Sequence, residues 1–300
     1  MIKTSRQLKD KIRNLSKDMK TEPHILMRKY MMERFLERLS LSAYKDKFIL
    51  KGGMLIASTV GIESRSTMDI DATVKGMDLS LESAESAIKA IINTSFDDGV
   101  EMVIKSVSPI MDEADYNGVR ISLDAYFDGT KIPLKIDIST GDIIVPHEVQ
   151  HCYKLMFEDR DIHILSYTLE TVLAEKLETV IARSVQNTRM RDFYDIFILL
   201  QTKRDGISAD YLAEALHRTS SKRNSAQMIA VGGEILKDVR ESTVMKGLWK
   251  SYQSNYPYAE KVTWDDVMNA TERLYALAYT EEQELPLESG IHYSKQEEEI

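Results

Sequence analysis

The sequence predicts an α+β architecture: a first half in which helices flank strands and a β-meander, then an all-helical second half. Two patterns carry this reading. Between residues 48 and 139, short apolar runs alternate with Gly, Asp and Asn turn signals, and from Tyr167 onward the apolar residues recur at helical spacing. A mean composition of 43% hydrophobic and 29% charged residues, with 6 Pro, belongs to a globular chain able to bury a sizeable core.

The first forty residues form a helical lead-in. Ile12, Leu15 and Met19 make one apolar stripe, and Ile25, Met27, Tyr30, Met31, Phe35 and Leu39 make another. Pro23 separates them, because proline cannot continue a helix interior. Stripes of this kind signify packing against a core rather than a cofactor site.

The stretch from Phe48 to Val74 organises the rest. It reads as a strand (Phe48–Leu50), a glycine pair (Gly52, Gly53), a short amphipathic helix (Met54–Val60), a polar loop, and a second strand carrying Asp69-Ile70-Asp71. Side chains two apart on a strand share a face, so Asp69 and Asp71 project together. Paired carboxylates repel unless a cation lies between them, and Mg²⁺ suits such an oxygen pair while leaving positions open for phosphates. Gly52 and Gly53 allow the backbone to approach an anion closely at the start of the following helix. A lone Asp-x-Asp also occurs at solvated strand ends. Here the order of strand, glycine pair, helix, Arg65-Ser66 and Asp-x-Asp favours a triphosphate held on a metal. The further ligands of an EF-hand loop are missing.

A helix is expected over Ser80–Phe96, with Leu81, Ala84, Ile88, Ile91 and Ile92 on its buried face. Three strands follow at Val100–Val107, Val119–Phe127 and Ile132–Ser139. In the last, alternation turns Leu134, Ile136 and Ile138 to one face and Lys135, Asp137 and Ser139 to the other. Asp137 is thus a charge on a strand that otherwise reads as core, and it is either exposed near Lys135 or needs a partner. His147, His151 and Cys152 invite a zinc reading, but no fourth ligand is nearby and the remaining histidines are scattered. Pro146 ends a strand-like Ile143–Val145 and places a domain boundary near residue 160.

In the helical half, Leu169, Val172, Leu173, Leu177, Val180 and Ile181 form a buried stripe with Lys176 on its margin. A lysine there either snorkels to water or meets an anion. Asp192 and Asp195 share one helix face and suit a first turn. Further helices are expected at Ala209–Leu216, Ala226–Val239, Val244–Tyr252 and Trp264–Tyr279.

Leu50-Lys51-Gly52-Gly53, followed by Arg65-Ser66 and Asp69-Ile70-Asp71, resembles the first motif of the DNA polymerase β-like nucleotidyltransferase superfamily. Many members carry Gly-Ser where this chain has Gly52-Gly53. The flanks, together with LAEKLETVIAR and then RDFYDI, resemble the AbiEii/AbiGii toxins of abortive-infection and type IV toxin–antitoxin systems, over about residues 25–200. The resemblance implies a nucleotidyltransferase-like mixed sheet with helices over 1–160 and a helical domain over 161–280 completing the cleft, while the composition of 281–300 reads as an acidic tail. The resemblance also implies Asp69, Asp71 and Asp137 as Mg²⁺ ligands, and Gly52, Gly53, Arg65, Ser66 and Lys176 as contacts to an NTP. Asp192 would belong to the active site, with Asp195 as the alternative. The implied activity is NMP transfer by a growth-arresting, phage-defence toxin, with GTP among its candidate donors and RNA such as tRNA among its acceptors. A neighbouring gene would encode the antitoxin. A catalytically silent nucleotide- or RNA-binding module of the same fold is the alternative.

The formal net charge of −9 argues against indiscriminate nucleic-acid binding, yet residues 1–51 hold 14 Lys/Arg against 6 Asp/Glu, and residues 259–300 hold 3 against 11. The basic front either steers phosphate-rich ligands or is a solvated helical surface. One cysteine, Cys152, excludes an internal disulfide framework. With no apolar run of membrane-spanning length and a charged N-terminus, a cytoplasmic protein without a membrane partner is expected.

Overall fold

A computed structural model of the chain describes residues 2–19, 21–61, 63–110 and 118–279. The expected acidic tail lies outside the described residues. Helices α1 (Ser5–Met19) and α2 (Pro23–Leu41) lead in as anticipated, with Pro23 in the first turn of α2, where its missing N–H costs no intrahelical bond. Strand β1 (Phe48–Lys51) runs directly into α3 (Gly52–Val60), which starts at the glycine pair rather than after it. Strand β2 (Ile70–Val74) begins one residue past Asp69, and α4 (Leu81–Ile92) is capped by Ser80, whose hydroxyl accepts from the Ser83 amide at 3.1 Å.

The remaining strands are β3 (Val100–Ile110), β4 (Gly118–Phe127), β5 (Thr130–Thr140), β6 (Val149–Lys154) and β7 (Asp161–Ser166). Together they form one seven-stranded mixed sheet in the order β3-β4-β5-β2-β1-β7-β6. The meander β3-β4-β5 is antiparallel, β5 runs parallel to β2, and β1 is antiparallel to β2 but parallel to β7. Leu134, Ile136 and Ile138 of β5 are buried, as their alternation requires. Arg38 ties α2 to the start of β3 by donating to both Asp98 carboxylate oxygens and to the Val100 carbonyl, each at 2.7 Å.

Some expectations change. Ile143–Val145 is not a strand: the Val145 amide donates to Thr171 Oγ1 at 3.0 Å and its carbonyl accepts from Thr168 Oγ1 at 2.7 Å, so a helix N-terminus satisfies groups that a ladder would otherwise take. The sheet also continues past residue 160, because Ile162 and Ile164 of β7 alternate into the core and Leu165 pairs with Ile49.

After β7 the described chain is helical: α5 (Leu169–Arg183), α6 (Met190–Lys203), α7 (Ala209–Lys222), α8 (Ala226–Ala230), α9 (Gly232–Glu241), α10 (Thr243–Asn255) and α11 (Trp264–Ala278). The single helix expected over Ala226–Val239 breaks at Val231, before the Gly232-Gly233 pair. A Cβ on Gly232 would stand 2.7 Å from the Tyr275 ring, so this glycine also lets α9 pack closely on α11. No helix among the described residues is long and apolar enough to cross a membrane.

Candidate active site

Register places the charged residues. Lys51 on β1 pairs with Asp71 on β2, Asp71 with Asp137 on β5, and Asp137 with Arg120 on β4. In-register residues of adjacent strands share a face and lie about 5 Å apart, so this row sets a cation, two acids and a second cation side by side. Asp69, two residues ahead of Asp71, joins the same side. The three expected carboxylates therefore lie along one side of the sheet.

Their electrostatics follow from that crowding. Desolvation pushes the Asp71 carboxyl above its ordinary range, and the negative charges of Asp137 and Asp69 push it further, against the pull of Lys51 and a hydrogen bond from the Gly53 amide. Each neighbouring acid has its own counter-ion. Lys135 Nζ lies 2.8 Å from Asp69 Oδ2, and Arg120 donates through Nε and Nη2 to the two oxygens of Asp137, both at 2.8 Å. Lys51 bonds to Ser139 Oγ at 2.8 Å and to Asp142. Burial alone would raise Asp142, but Lys51, Tyr167 and Ser139 outweigh it and hold that carboxyl at about 2.

The glycine pair shapes this cradle. Gly52 has φ +66°, and a Cβ on it would fall 2.1 Å from Asp71 Oδ2. The close approach anticipated toward a phosphate is here made to the carboxylate of Asp71. At Gly53, a Cβ would lie 2.6 Å from Thr67 Oγ1, and that hydroxyl donates onward to the Asp69 carbonyl at 3.4 Å. Gly52→Ala is expected to destabilise the fold by about 1–3 kcal/mol through its left-handed backbone alone, and to displace Asp71 as well. A urea midpoint equal to that of the wild type would contradict this account.

A second cluster lies on the helical side. Lys176 of α5 sits between two acids of α6, with Nζ 2.8 Å from Asp192 Oδ1 and 2.7 Å from Asp195 Oδ2. Burial disfavours the ammonium, but Asp192 and Asp195 outweigh it and raise its pKa. Asp195 also receives Arg65 Nε at 2.6 Å. Burial would raise its carboxyl, yet Arg65 and Lys176 hold it at about 2. Asp192 instead reaches the half-exposed Arg189, whose Nε is 2.8 Å from Asp192 Oδ2.

Arg65 is a correction. Anticipated along a phosphate path, it is only 1% exposed and spends its guanidinium on Asp195 and the Ser66 carbonyl. It is a strut under the site, and Ser66 is buried beside it. The strut joins the two clusters, because Arg65 Nη2 lies 3.2 Å from the place of a Gly53 Cβ. Lys176 thus connects to Asp71 through Asp195, Arg65 and Gly53. The Tyr194 hydroxyl, donating to the Ser64 carbonyl at 2.6 Å, fixes the same loop to α6.

Sequence reasoning gave no role to Lys51, Thr67, Arg120 and Asp142, and it set Lys135 beside Asp137 where the structure pairs it with Asp69. Lys51 precedes the glycine pair directly and could have been found there, whereas the role of Arg120 depends on strand register. Of the residues that invited a zinc reading, His151 meets Ser58 Oγ at 2.8 Å and Cys152 donates to Asp161 at 3.0 Å from the next strand position. Among the described residues, no three His, Cys, Asp or Glu side chains stand close enough together to hold one ion. The donor chemistry, carboxylate oxygens alone, is of the kind a hard divalent cation takes, and Asp71 carries a like-charge load that a cation would relieve.

Among solved structures, the chain is similar to JHP933 from Helicobacter pylori, at 15% identity and a TM-score of 0.46 over 85% of this chain and 91% of that one. It is also similar to the CD-NTase CdnG of Bradyrhizobium diazoefficiens, solved in complex with GTP, at 11% identity and a TM-score of 0.23 over 84% and 83%. Likenesses this loose support no functional argument. No curated protein matches the chain. Residues 34–270, however, match the family described as "Nucleotidyl transferase AbiEii toxin, Type IV TA system". The span covers the sheet row, the Lys176 cluster and most of the helical half, and the chain belongs to the AbiEii family of nucleotidyltransferase toxins.

Proposed function

We propose that this protein transfers a nucleoside monophosphate from an NTP to an acceptor hydroxyl, with Mg²⁺ held by Asp69, Asp71 and Asp137. The observation that carries the reading is the in-register row of Lys51, Asp71, Asp137 and Arg120, with Asp69 beside it. Bound there, the metal would supply charge neutralisation for the triphosphate and the departing pyrophosphate. The acceptor oxygen forms a bond to the α-phosphorus, and the bond from that phosphorus to the bridging oxygen breaks. Pyrophosphate leaves with the electron pair, and the hydroxyl proton goes to solvent.

The chain's own groups position these partners. The Gly53 amide at the start of α3 orients Asp71, Lys51 adds positive charge beside it, and Lys176 offers an ammonium to the phosphates. Of the two α6 acids, Asp192 is assigned to the active site, because it links Lys176 to the outward Arg189, whereas Asp195 is enclosed between Lys176 and Arg65. GTP is the donor to test first and RNA such as tRNA the acceptor. The type IV family implies an antitoxin encoded beside the toxin.

A catalytically silent nucleotide- or RNA-binding module is the second reading, favoured by the internal cations already paired with Asp69 and Asp137. Purified protein incubated with α-labelled or γ-labelled NTP, Mg²⁺ and total RNA separates the two. Nucleotidyl transfer leaves covalent α-label on RNA or protein, whereas a γ-label departs in pyrophosphate and leaves the acceptor unlabelled. Covalent γ-label would mean phosphoryl transfer, and no covalent label with retained NTP binding would establish the silent module.

A further inference from the structure

We propose that Arg120 and Lys135 are built-in counter-ions that couple metal binding to triphosphate binding, each leaving its carboxylate when the metal arrives and turning to the phosphates. This rests on the metal-dependent reading above. Four acids, Asp69, Asp71, Asp137 and Asp142, face three cations, Lys51, Arg120 and Lys135, so most of the site's negative charge is already countered at rest. A divalent cation entering it must compete with charges already in place.

The cations are not equivalent. Lys51 is anchored by Ser139 and Asp142 beneath the aromatic ring of Tyr167, and its side chain is 19% exposed. Arg120 and Lys135 have side chains 42% and 33% exposed, and both rise from the same face of neighbouring strands, where Arg120 pairs with Asp137 and Ser122 with Lys135. Both stand nearer to solvent than Lys51, which is held from two sides by Ser139 and Asp142. The guanidinium fork and the ammonium, once released, suit phosphate oxygens, which bring the negative charge that the metal removed from competition. Either ligand alone therefore meets an unbalanced site, and the two together restore balance. By linkage, each must strengthen the other.

The experiment measures Mn²⁺ binding to the full chain by calorimetry or electron paramagnetic resonance, without nucleotide. Arg120→Gln/Lys135→Gln is expected to bind Mn²⁺ on the order of tenfold more tightly than the wild type, within the range usual for coupled sites. At saturating Mn²⁺, the same variant is expected to bind a non-hydrolysable α,β-methylene NTP about tenfold more weakly. Unchanged Mn²⁺ affinity, or unchanged analogue affinity, overturns the coupling. Lys135→Gln and Arg120→Lys are measured alongside, the first removing one exposed charge and the second keeping charge while losing the bidentate fork. Each should shift both affinities in the same directions by a smaller factor, so the idea stands or falls even if the double variant does not fold. Asp71→Asn serves as the separate control: if it binds Mn²⁺ as the wild type does, the metal site itself is wrong. If it loses Mn²⁺ while the charge variants behave as wild type, only the coupling is.

Discussion

Asp71→Asn is expected to lower nucleotidyl transfer by about 10³-fold, the loss typical when a group that stabilises developing charge is removed, while leaving the metal-free protein at least as thermostable as the wild type. The two effects have one cause. Asp71 lies between Asp69 and Asp137 in register, and desolvation together with their charge raises its folded-state pKa. A carboxyl whose pKa is raised by folding favours its protonated form in the native state, so its ionisation as pH rises costs stability. Asparagine removes that cost but cannot supply an anionic oxygen to a cation. Thermal unfolding in the presence of a chelator, paired with the α-label assay, reads both halves. Transfer at the wild-type level by soluble Asp71→Asn would remove the basis of the proposed chemistry, and a melting temperature several degrees lower would show that Asp71 is a structural residue.

Asp195→Ala is expected to do the reverse, with a large stability loss on the order of 3–5 kcal/mol, as is usual when one partner of a buried ion pair is removed. Its carboxylate is fully enclosed and serves two cations, Arg65 at 2.6 Å and Lys176 at 2.7 Å. Without it, both are stranded: Arg65 under the Gly53 turn and Lys176 with Asp192 alone. For a chain of this size the melting temperature should fall by about 10 °C. The pH dependence has a defined sign. Since folding depresses the Asp195 carboxyl to about 2 from an ordinary 3.8, its contribution is complete above that ordinary value and is lost as pH falls toward 2. Asp195→Asn should therefore flatten the wild-type decline in stability between these two pH values. A melting temperature for Asp195→Ala within two degrees or so of wild type would show that the strut between α6 and the Gly53 loop carries little energy.

The contrast also separates α6's two acids by measurement. Asp192 and Asp195 are spaced one helical turn apart and look alike along the chain, yet one reaches the half-exposed Arg189 and the other the buried Arg65. Which acid reaches the outward cation and which the buried one follows from what packs against α6, a property that helix periodicity does not contain.

What could be read from residues in line was whatever depends on short-range period. Two-residue alternation put Asp69 beside Asp71 and turned Asp137 away from Leu134, Ile136 and Ile138; helical spacing announced the second half of the chain and set Lys176 at the edge of its apolar stripe. These are properties of the backbone's own geometry, so a few neighbouring residues suffice. Strand register and distant ion pairs were decided only in three dimensions. Arg120 reaches Asp137 because a hairpin aligns β4 with β5, and Arg65 meets Asp195 across 130 positions. β7 enters the sheet beside β1, and Val145 leaves it because Thr168 and Thr171 take its hydrogen bonds. Such contacts are settled by competition among many possible partners for burial and for hydrogen bonds, and no local pattern records which one wins.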